Sequence, residues 1–593
     1  MKIMKKKPGK LSRRDFLKST GGAAAIAGLA IGGLASGPGD SAAAEIAAGK
    51  LRETHKADLV LLGGNIICMD KTDTRTQAVA CKDGRVVAVG TDKTVRKLIG
   101  KETKVIELEG KTALPAFIDS HCHLFQWAAN LSEVDLRGVK IAGEALGRIK
   151  ERVARTKPGA WVKAYGLGYD LLAMGVVKID RCMLDEVSPQ NPVVVASLGH
   201  FGLFNTAALK ELRVSRETPD PDKEVWKDAN GEPVGAMAER MWYEYKAKVP
   251  PISFEEQTDS LEKAIAEASK LGIGTMEDSL SLEETARAYQ RLLDEGRLKM
   301  RITLNPTIQV DTAHHYMQSG LSSGFGNEWM RLGQTKILLG TLGARTATLL
   351  EDYADMPGHR GAPLYPVETI EKFILDSVKS GWSMQIHIMG DGDLEIALNA
   401  FEKALKWYKE NTGKDNTDLR LTIDHYGVYT RDQLRRTRDL KLWASVQPIM
   451  RSTWARPNGF FESRLGHERW TRSVPLGTLY KAGIPVSLGS DLPYSPSMDP
   501  RIGIYSCLDG MGQPGEIITA YEAIRGYTID ASRRLYREHE VGSIEVGKLG
   551  DFVVLNLDPL KIPKEKIWND SKNAPADLQV EYTIVGGKVV YRS

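Results

Sequence analysis

The middle of the chain alternates short apolar runs with amphipathic helical patterns, and this alternation constrains the fold more than any other feature. Short apolar runs are typical of buried parallel strands, and helices between them supply the crossovers that parallel pairing requires. Eight strands that alternate with helices predict an α/β fold of the (β/α)8 TIM-barrel type. The predicted strands are residues 112–123, 273–277, 301–304, 335–338, 383–387, 419–425, 443–447 and 484–488.

The two ends of the chain have a different pattern, because short strands and tight turns replace the helices. Asp83-Gly84 lies between two alternating runs, which is a strong hairpin signal. We predict one small β-sandwich assembled from residues 45–113 and 538–593, with a barrel domain at 114–537 between them. Residues 124–251 are too many for one crossover, so we expect an inserted subdomain there that contributes to substrate binding.

Residues 1–44 have the features of a targeting peptide. Arg13 and Arg14, followed by Phe-Leu-Lys, resemble a twin-arginine export signal, and the apolar run at 21–34 is too short and Gly-rich to span a bilayer. The alternative is an uncleaved amphipathic start. We therefore expect an exported, periplasmic protein that uses the twin-arginine machinery and has no stable membrane span once mature.

The basic excess of the chain lies in this leader. Residues 1–44 hold eight Lys and Arg against two acidic residues, whereas the whole chain has a net charge of only +4. The remainder is therefore slightly acidic, which does not favour nucleic acid as a partner. The five cysteines are scattered without a C-x-x-C spacing, so they predict neither a disulfide framework nor a zinc knuckle.

Four of the eleven histidines fall at the ends of predicted strands. His121 and His123 are two residues apart, so a strand would place both imidazoles on one face. His-x-His, the other strand-end histidines, a lysine and an aspartate would all meet at the carboxyl edge of the barrel, where barrel enzymes hold their active sites. The strand-end set is His121, His123, Lys336, His387, His425 and Asp491.

Imidazoles and a carboxylate in one place are typical ligands of Zn²⁺ or a neighbouring first-row ion. Such an ion activates water, and Asp491 could take the proton and return it to a leaving nitrogen. Lys336 could bind only when neutral or carbamylated, because an ammonium has no lone pair. The alternatives are a polar rim without metal for the whole set, and a lysine that pairs with an acid or reaches solvent for Lys336.

Longer motifs around these residues resemble the amidohydrolase superfamily, and specifically its YtcJ-like and N-substituted formamide deformylase-like metal-dependent hydrolases. The motifs extend over nearly the whole mature chain, and their order and spacing make the combination specific. They are residues 115–123 (PAFIDSHCH), 199–209 (GHFGLFNTAAL), 386–391 (IHIMGD), 423–425 (IDH), 445–448 (SVQP), 464–466 (RLG), 489–491 (GSD) and 542–551 (GSIEVGKLGD).

The resemblance implies one or two divalent ions, zinc foremost, and it implies that Asp491 is the general acid and base. Lys336 stands where the subgroup has a lysine that is often carbamylated. The implied ligand positions are His121, His123, His387, His425 and Asp491, with Lys336 as the sixth position. Dimers occur among relatives, so a homodimer is one expected state.

Other residues receive supporting roles from the resemblance. His200 would face the substrate from a loop, and its alternative is a capped core histidine. Asp391 would either orient a metal-bound histidine or cap the next helix, and Asp424 would support a ligand or act as a strand hydrogen-bond partner. Gln447 belongs to the same group of supporting or substrate-contacting residues.

Two segments depart from the subgroup and make a standard substrate doubtful. After Lys336 the usual acid-Gly-Ser is absent, and Asp391-Gly392-Asp393 replaces the usual Asp-Arg/Lys-Ala. The function implied is hydrolysis of a non-peptide C–N bond in an N-acyl amide, formamide or cyclic amide. Deamination, ester or lactone hydrolysis and a hydratase-type reaction remain open on the same site, because a fold does not fix a reaction. A catalytically dead binding protein is the alternative from another class.

Overall fold

A computed structural model describes residues 56–167, 179–197, 201–220, 224–308 and 311–593, apart from the side chains of Glu239 and Asp418. The signal peptide and His200 therefore lie outside the described residues. Helices and strands alternate through the centre of the chain, and strands dominate both ends. No helix in the described ranges is long and apolar enough to cross a membrane.

The strands are, in chain order, β1 (Leu59–Leu62), β2 (Asn65–Ile67), β3 (Arg75–Thr76), β4 (Ala78–Lys82), β5 (Arg85–Gly90), β6 (Lys104–Glu107), β7 (Thr112–Pro115), β8 (Phe117–Cys122), β9 (Val134–Asp135), β10 (Val162–Leu167), β11 (Val193–Ser197), β12 (Phe201–Phe204), β13 (Val225–Lys227), β14 (Pro233–Ala238), β15 (Ile273–Ser281), β16 (Arg301–Pro306), β17 (Met330–Leu332), β18 (Thr335–Leu338), β19 (Met384–His387), β20 (Thr422–Asp424), β21 (Trp443–Val446), β22 (Val486–Leu488), β23 (Phe552–Leu555), β24 (Trp568–Asn569), β25 (Ala574–Pro575), β26 (Val580–Val585) and β27 (Lys588–Arg592).

The α-helices are α1 (Asp92–Val95), α2 (Leu124–Asn130), α3 (Ala142–Val153), α4 (Arg181–Val187), α5 (Thr206–Glu211), α6 (Glu239–Lys246), α7 (Phe254–Lys270), α8 (Glu283–Asp294), α9 (Thr312–Gln318), α10 (Val367–Lys379), α11 (Asp391–Thr412), α12 (Asn416–Leu419), α13 (Arg431–Asp439), α14 (Ile449–Thr453), α15 (Phe460–Trp470), α16 (Leu476–Lys481), α17 (Pro500–Asp509), α18 (Ala520–Gly526) and α19 (Ile529–Arg534).

The central strands are parallel and form two sheets. One sheet has the order β17-β16-β15-β8 and the other has the order β18-β19-β20-β21-β22. A parallel bridge between Thr307 and Lys336 links β16 to β18. At the opposite edges, the amides of Ser490 and Asp491 donate to the carbonyl of His121, at 3.1 and 2.7 Å. All eight predicted strands are present, and their carboxyl ends point the same way.

Local signals in the sequence explain where the helices around these sheets begin and end. Ser253 caps α7 by accepting a hydrogen bond from the amide of Glu256, and Thr430 forms a capping box with Gln433 at the start of α13. The helix α11 ends at Gly413, whose φ of 72° suits a left-handed C-cap. The apolar faces of these helices pack on the central strands in the largest buried cluster.

Strands from both ends of the chain combine into two sheets, with the orders β5-β4-β1-β6 and β27-β26-β23-β7-β2-β3. One buried apolar cluster contains Leu59 and Val79 of the first sheet together with Phe552 and Ile584 of the second. The strand β7 crosses the predicted boundary between residues 113 and 114. The run 112–123 is thus two strands, because β7 pairs with β23 and β2 while β8 pairs with β15.

The stretch between β8 and β15 contains a six-stranded sheet of its own, in the order β13-β14-β12-β11-β10-β9. Its apolar residues form two further buried clusters that are separate from the core around the central strands. This inserted sheet lies between the first and second central strands in the sequence. The proposed domain boundaries at 45–113, 114–537 and 538–593 stay predictions.

Candidate metal centre

The predicted strand-end residues come from five different central strands. His121 lies in β8 and His123 directly follows it, while His387 is the last residue of β19. His425 follows β20, and Asp491 lies three residues after β22. Both have a left-handed backbone, with φ of 67° and 63°, so each turns sharply as its strand ends. The carboxyl ends of parallel strands bring these side chains to one edge.

The carboxylate of Asp491 is the point where these side chains meet. Its Oδ1 lies 3.2 Å from Nε2 of His121 and 3.1 Å from Nε2 of His123. One ligand atom each from His121, His425 and Asp491 lies within 4.8 Å of the others, and all three residues are buried. His387 adjoins them, with its ring centroid 4.2 Å from that of His425.

Other groups orient two of these imidazoles from behind. Nδ1 of His425 lies 2.7 Å from Oε1 of Gln447, and Nδ1 of His123 lies 3.0 Å from the carbonyl of Ser279. An acceptor at Nδ1 fixes the proton there and directs the Nε2 lone pair toward the centre. Gln447 thus contacts a predicted ligand.

Burial favours the neutral form of three of these imidazoles, and neutral imidazole is the form that binds a metal. Burial lowers the pKa of His425 to about 4 and holds the pKa values of His121 and His387 well below the usual range. Burial also opposes ionisation of Asp491, but the adjacent imidazoles of His121 and His123 outweigh it and hold the pKa of Asp491 well below its usual value. The centre therefore combines a charged carboxylate with neutral imidazoles at His121, His387 and His425.

Lys336 lies beneath this centre and faces Asp424 rather than solvent. Its Nζ contacts Oδ2 of Asp424, and both side chains are buried. Burial lowers the pKa of Lys336 to about 7, although the carboxylates of Glu277 and Asp491 act in the opposite direction. Asp424 also accepts from Gln385 and lies 3.4 Å from Nδ1 of His121. Asp424 thus contacts a predicted ligand and the lysine at once.

The sequence reasoning missed a buried polar network that continues below Lys336. Glu277 contacts Arg534 and accepts from Asn305, which also donates to Gln385. Gln385 in turn lies 3.0 Å from Nδ1 of His121. Gln385 could have been found, because it precedes His387 by two residues and therefore faces the same side of β19. No sequence pattern linked Arg534 to this network, because Arg534 lies in α19, 257 residues after Glu277.

Asp391 and His200 are the remaining residues with predicted roles. Asp391 is the first residue of α11, but Gly390 holds the N-cap position, and the Asp391 carboxylate instead accepts from the amide of Leu350 at 2.9 Å. It makes no hydrogen bond to an imidazole among the described residues, so it anchors the loop after β18. His200 lies outside the described residues, and its role stays a prediction.

The residues present fit a divalent cation. Nε2 of His387 is buried and has no hydrogen-bond partner among the described residues, as expected for an atom that awaits a ligand. Three or four imidazoles with one carboxylate are the donor set that Zn²⁺ and its neighbours prefer. When bound there, such an ion would polarise a carbonyl and make a water molecule more acidic.

The chain is similar to several known hydrolases over most of its length. The Bacillus subtilis protein named "Putative amidohydrolase YtcJ" is 29% identical to this chain, over 89% of this chain and 98% of its own length. The N-substituted formamide deformylase of Arthrobacter pascens is 26% identical over 91% of this chain and 99% of its own. An uncharacterized metal-dependent hydrolase from Pyrococcus furiosus, known from its crystal structure, is 26% identical with a TM-score of 0.68, over 85% of this chain and 100% of its own.

Two family descriptions match the chain itself. Residues 10–30 match the twin-arginine translocation pathway signal sequence, which confirms the prediction made from Arg13 and Arg14. Residues 104–591 match the amidohydrolase family, and this match covers the central strands and the candidate centre together. The chain therefore belongs to the amidohydrolase family.

Proposed function

We propose that this protein is an exported, metal-dependent hydrolase that cleaves a non-peptide C–N bond in an N-acyl amide, formamide or cyclic amide. The convergence of His121 and His123 on the carboxylate of Asp491 carries this proposal. The match to the amidohydrolase family supports the reaction class, and the relative named as a formamide deformylase supports the bond. The twin-arginine signal supports export, with the periplasm as the proposed location.

The architecture proposed for this function is a closed (β/α)8 barrel with the inserted sheet at its mouth. The Thr307–Lys336 bridge and the hydrogen bonds from Ser490 and Asp491 to His121 support closure between the two central sheets. Closure would place every predicted ligand around one axis. A homodimer remains the proposed assembly by analogy with relatives alone.

In this proposal the centre holds one or two divalent ions, with zinc preferred. His121, His123, His387, His425 and Asp491 would be the ligands. Lys336 would join them as a carbamate when two ions bind, because a lysine whose pKa is about 7 is partly neutral near pH 7, and a neutral amine can react with carbon dioxide. With one ion, the ammonium of Lys336 would instead neutralise Asp424.

Asp491 would carry the proton in the reaction. Its low pKa keeps the carboxylate ready to accept a proton from the attacking water, and the same atom can return that proton to the leaving nitrogen. His123 and His121 hold this carboxylate in place from two sides. The imidazoles of His121, His123 and His425 would help to exclude bulk water, because these three side chains are almost completely buried.

Metal content of the mature protein tests the proposal. We would compare equivalents per chain in wild type, His121→Ala and Lys336→Ala, with His315→Ala as a matched control, because His315 is exposed and pairs with Glu283 on the surface. Near two equivalents, lost in both site variants, would support a centre bridged by modified Lys336. Near one equivalent, retained in Lys336→Ala, would support a single ion.

Absence of metal even after reconstitution would refute the enzyme and favour a dead binding protein. Activity is tested separately with a panel of N-formyl and N-acyl amides. Asp491→Asn should remove turnover, whereas His315→Ala should retain it.

A further inference from the structure

A cation of the inserted subdomain lines a cavity that is also lined by Tyr494, a neighbour of His123. Lys246 is the last residue of α6, and its Nζ lies 5.5 Å from the ring centroid of Trp242. The side chain is half-buried. Among the described residues, its ammonium makes no ion pair within 4.0 Å and no hydrogen bond. Burial of an ammonium group without such a partner costs free energy, unless a ligand supplies the partner.

Lys246 lines a cavity of about 30 Å³ whose wall is shared with the metal centre. Tyr494 forms this wall, because its ring packs 5.0 Å from that of His123 and its hydroxyl donates to Oε1 of Gln126 at 3.1 Å. Other polar residues that line the cavity are Asn130, Tyr165, Ser197 and Tyr243. The space suits a small polar group and does not admit a ring.

The charges around the cavity favour a single negative charge in a ligand. Glu133 is the acid that acts on Lys246, but the two side chains form no ion pair within 4.0 Å among the described residues, and burial raises the pKa of the Glu133 carboxyl. Lys163 is the other cation nearby, and its ammonium is held by the carbonyl of Pro250. One available ammonium beside a carboxyl group suits a monoanion better than a phosphate dianion.

We propose that Lys246 binds a carboxylate at the far end of the substrate, so that the enzyme prefers N-acyl or N-formyl compounds that carry a free carboxylate. This inference rests on the proposed function and adds the substrate class to it. The amide NH2 groups of Gln126 and Asn130, which also line the cavity, would complete the carboxylate's hydrogen bonds. The opposing interpretation is that Lys246 only balances the charge of Glu133.

The test uses metal-loaded protein and paired probes that differ in one charge. We would prepare N-formyl ω-amino acids with one to five methylene groups, each with its carboxamide of nearly equal size. Turnover gives kcat/KM for each probe, and titration calorimetry gives Kd without any need for turnover. The variants are Lys246→Met and Lys246→Arg, with Lys248→Met as the control, because Lys248 is exposed and pairs with Glu244. Metal content is measured for each variant.

For at least one chain length, wild type should prefer the carboxylate over the carboxamide by roughly 10- to 100-fold, the usual value of a hydrogen bond to a charged group. The preference should vanish in Lys246→Met, return in part in Lys246→Arg and persist in Lys248→Met. Equal use of both probes by wild type, or a preference that survives Lys246→Met, would overturn the inference and leave the proposed function intact. Selective binding without turnover would uphold the carboxylate site and count against the proposed reaction.

Discussion

Removal of the guanidinium of Arg534 should destabilise the protein far more than removal of a surface arginine with more ion pairs. Arg534 is 0% exposed and contacts Glu277, whose side chain is also 0% exposed. Arg534→Met would leave that carboxylate in the interior with Asn305 as a neutral partner. Loss of one member of a buried pair costs about 3–5 kcal/mol in unfolding free energy, because the other charge stays desolvated.

The guanidinium has two further contacts that methionine cannot replace. It donates to Oε1 of Gln334 at 2.8 Å and to the carbonyl of Ser120. Each of these acceptors would lose a buried hydrogen bond, which is worth about 1 kcal/mol or more. These losses place Arg534→Met in the upper part of the expected range.

Arg435 is the matched control. Its side chain is 56% exposed and pairs with both Asp432 and Asp439, so it has more acidic partners than Arg534. Arg435→Met should leave the unfolding midpoint unchanged within measurement error, because exposed ion pairs are screened by solvent. Burial, and not the number of partners, should therefore decide the loss.

Urea unfolding of the metal-loaded protein at fixed pH measures the effect. Arg534→Met should lower the midpoint strongly, and the double variant Glu277→Gln/Arg534→Met should recover part of the loss, since glutamine removes the unpaired charge. The reasoning would be refuted if Arg435→Met cost as much as Arg534→Met. It would also fail if the double variant were less stable than the single one.

Three further outcomes are expected. Gln447→Leu should lower metal affinity roughly 10- to 100-fold in a competition with a chelator, because the partner of Nδ1 on His425 is lost. Burial raises the pKa of Asp393 from 3.8 to about 7, so the folded chain keeps a proton that the unfolded chain loses. The Asp393 contribution to stability should therefore fall as pH rises from about 4 to about 7, and Asp393→Asn should flatten the unfolding midpoint across that window. Ser253→Ala should cost about 1 kcal/mol of unfolding free energy, measured by urea unfolding, because α7 loses its cap.

Periodicity explains how much of the centre was predictable from the sequence. The spacing of His121 and His123 predicted a shared face, and both side chains reach the same oxygen of Asp491. The Gly489-Ser490-Asp491 segment gave the carboxylate, because Gly and Ser mark the turn that ends a strand. These predictions needed only the alternation along one strand and the common direction of parallel strands.

Contacts between distant segments could not be predicted in this way. Glu277 and Arg534 are 257 residues apart, and no local pattern links a strand acid to an arginine in a late helix. The apolar run across the predicted boundary at 113/114 is a related case, since β7 and β8 within it belong to two different sheets. The hydropathy pattern predicts that β7 and β8 are buried, but it does not predict which strand each of them pairs with.

The charges in and below the centre give an independent reason to expect a divalent cation. Asp491, Asp424 and Glu277 are buried there beside the cationic side chains of Lys336 and Arg534, and burial lowers the pKa of Lys336 to about 7. The imidazoles of His121, His387 and His425 add no charge, since burial lowers their pKa values. If Lys336 loses its proton, the buried carboxylates carry more negative charge than the remaining cation balances. Unbalanced charge in a protein interior costs free energy. A divalent cation beside Asp491 removes this cost, so the polar network favours metal binding as well as supporting the ligands.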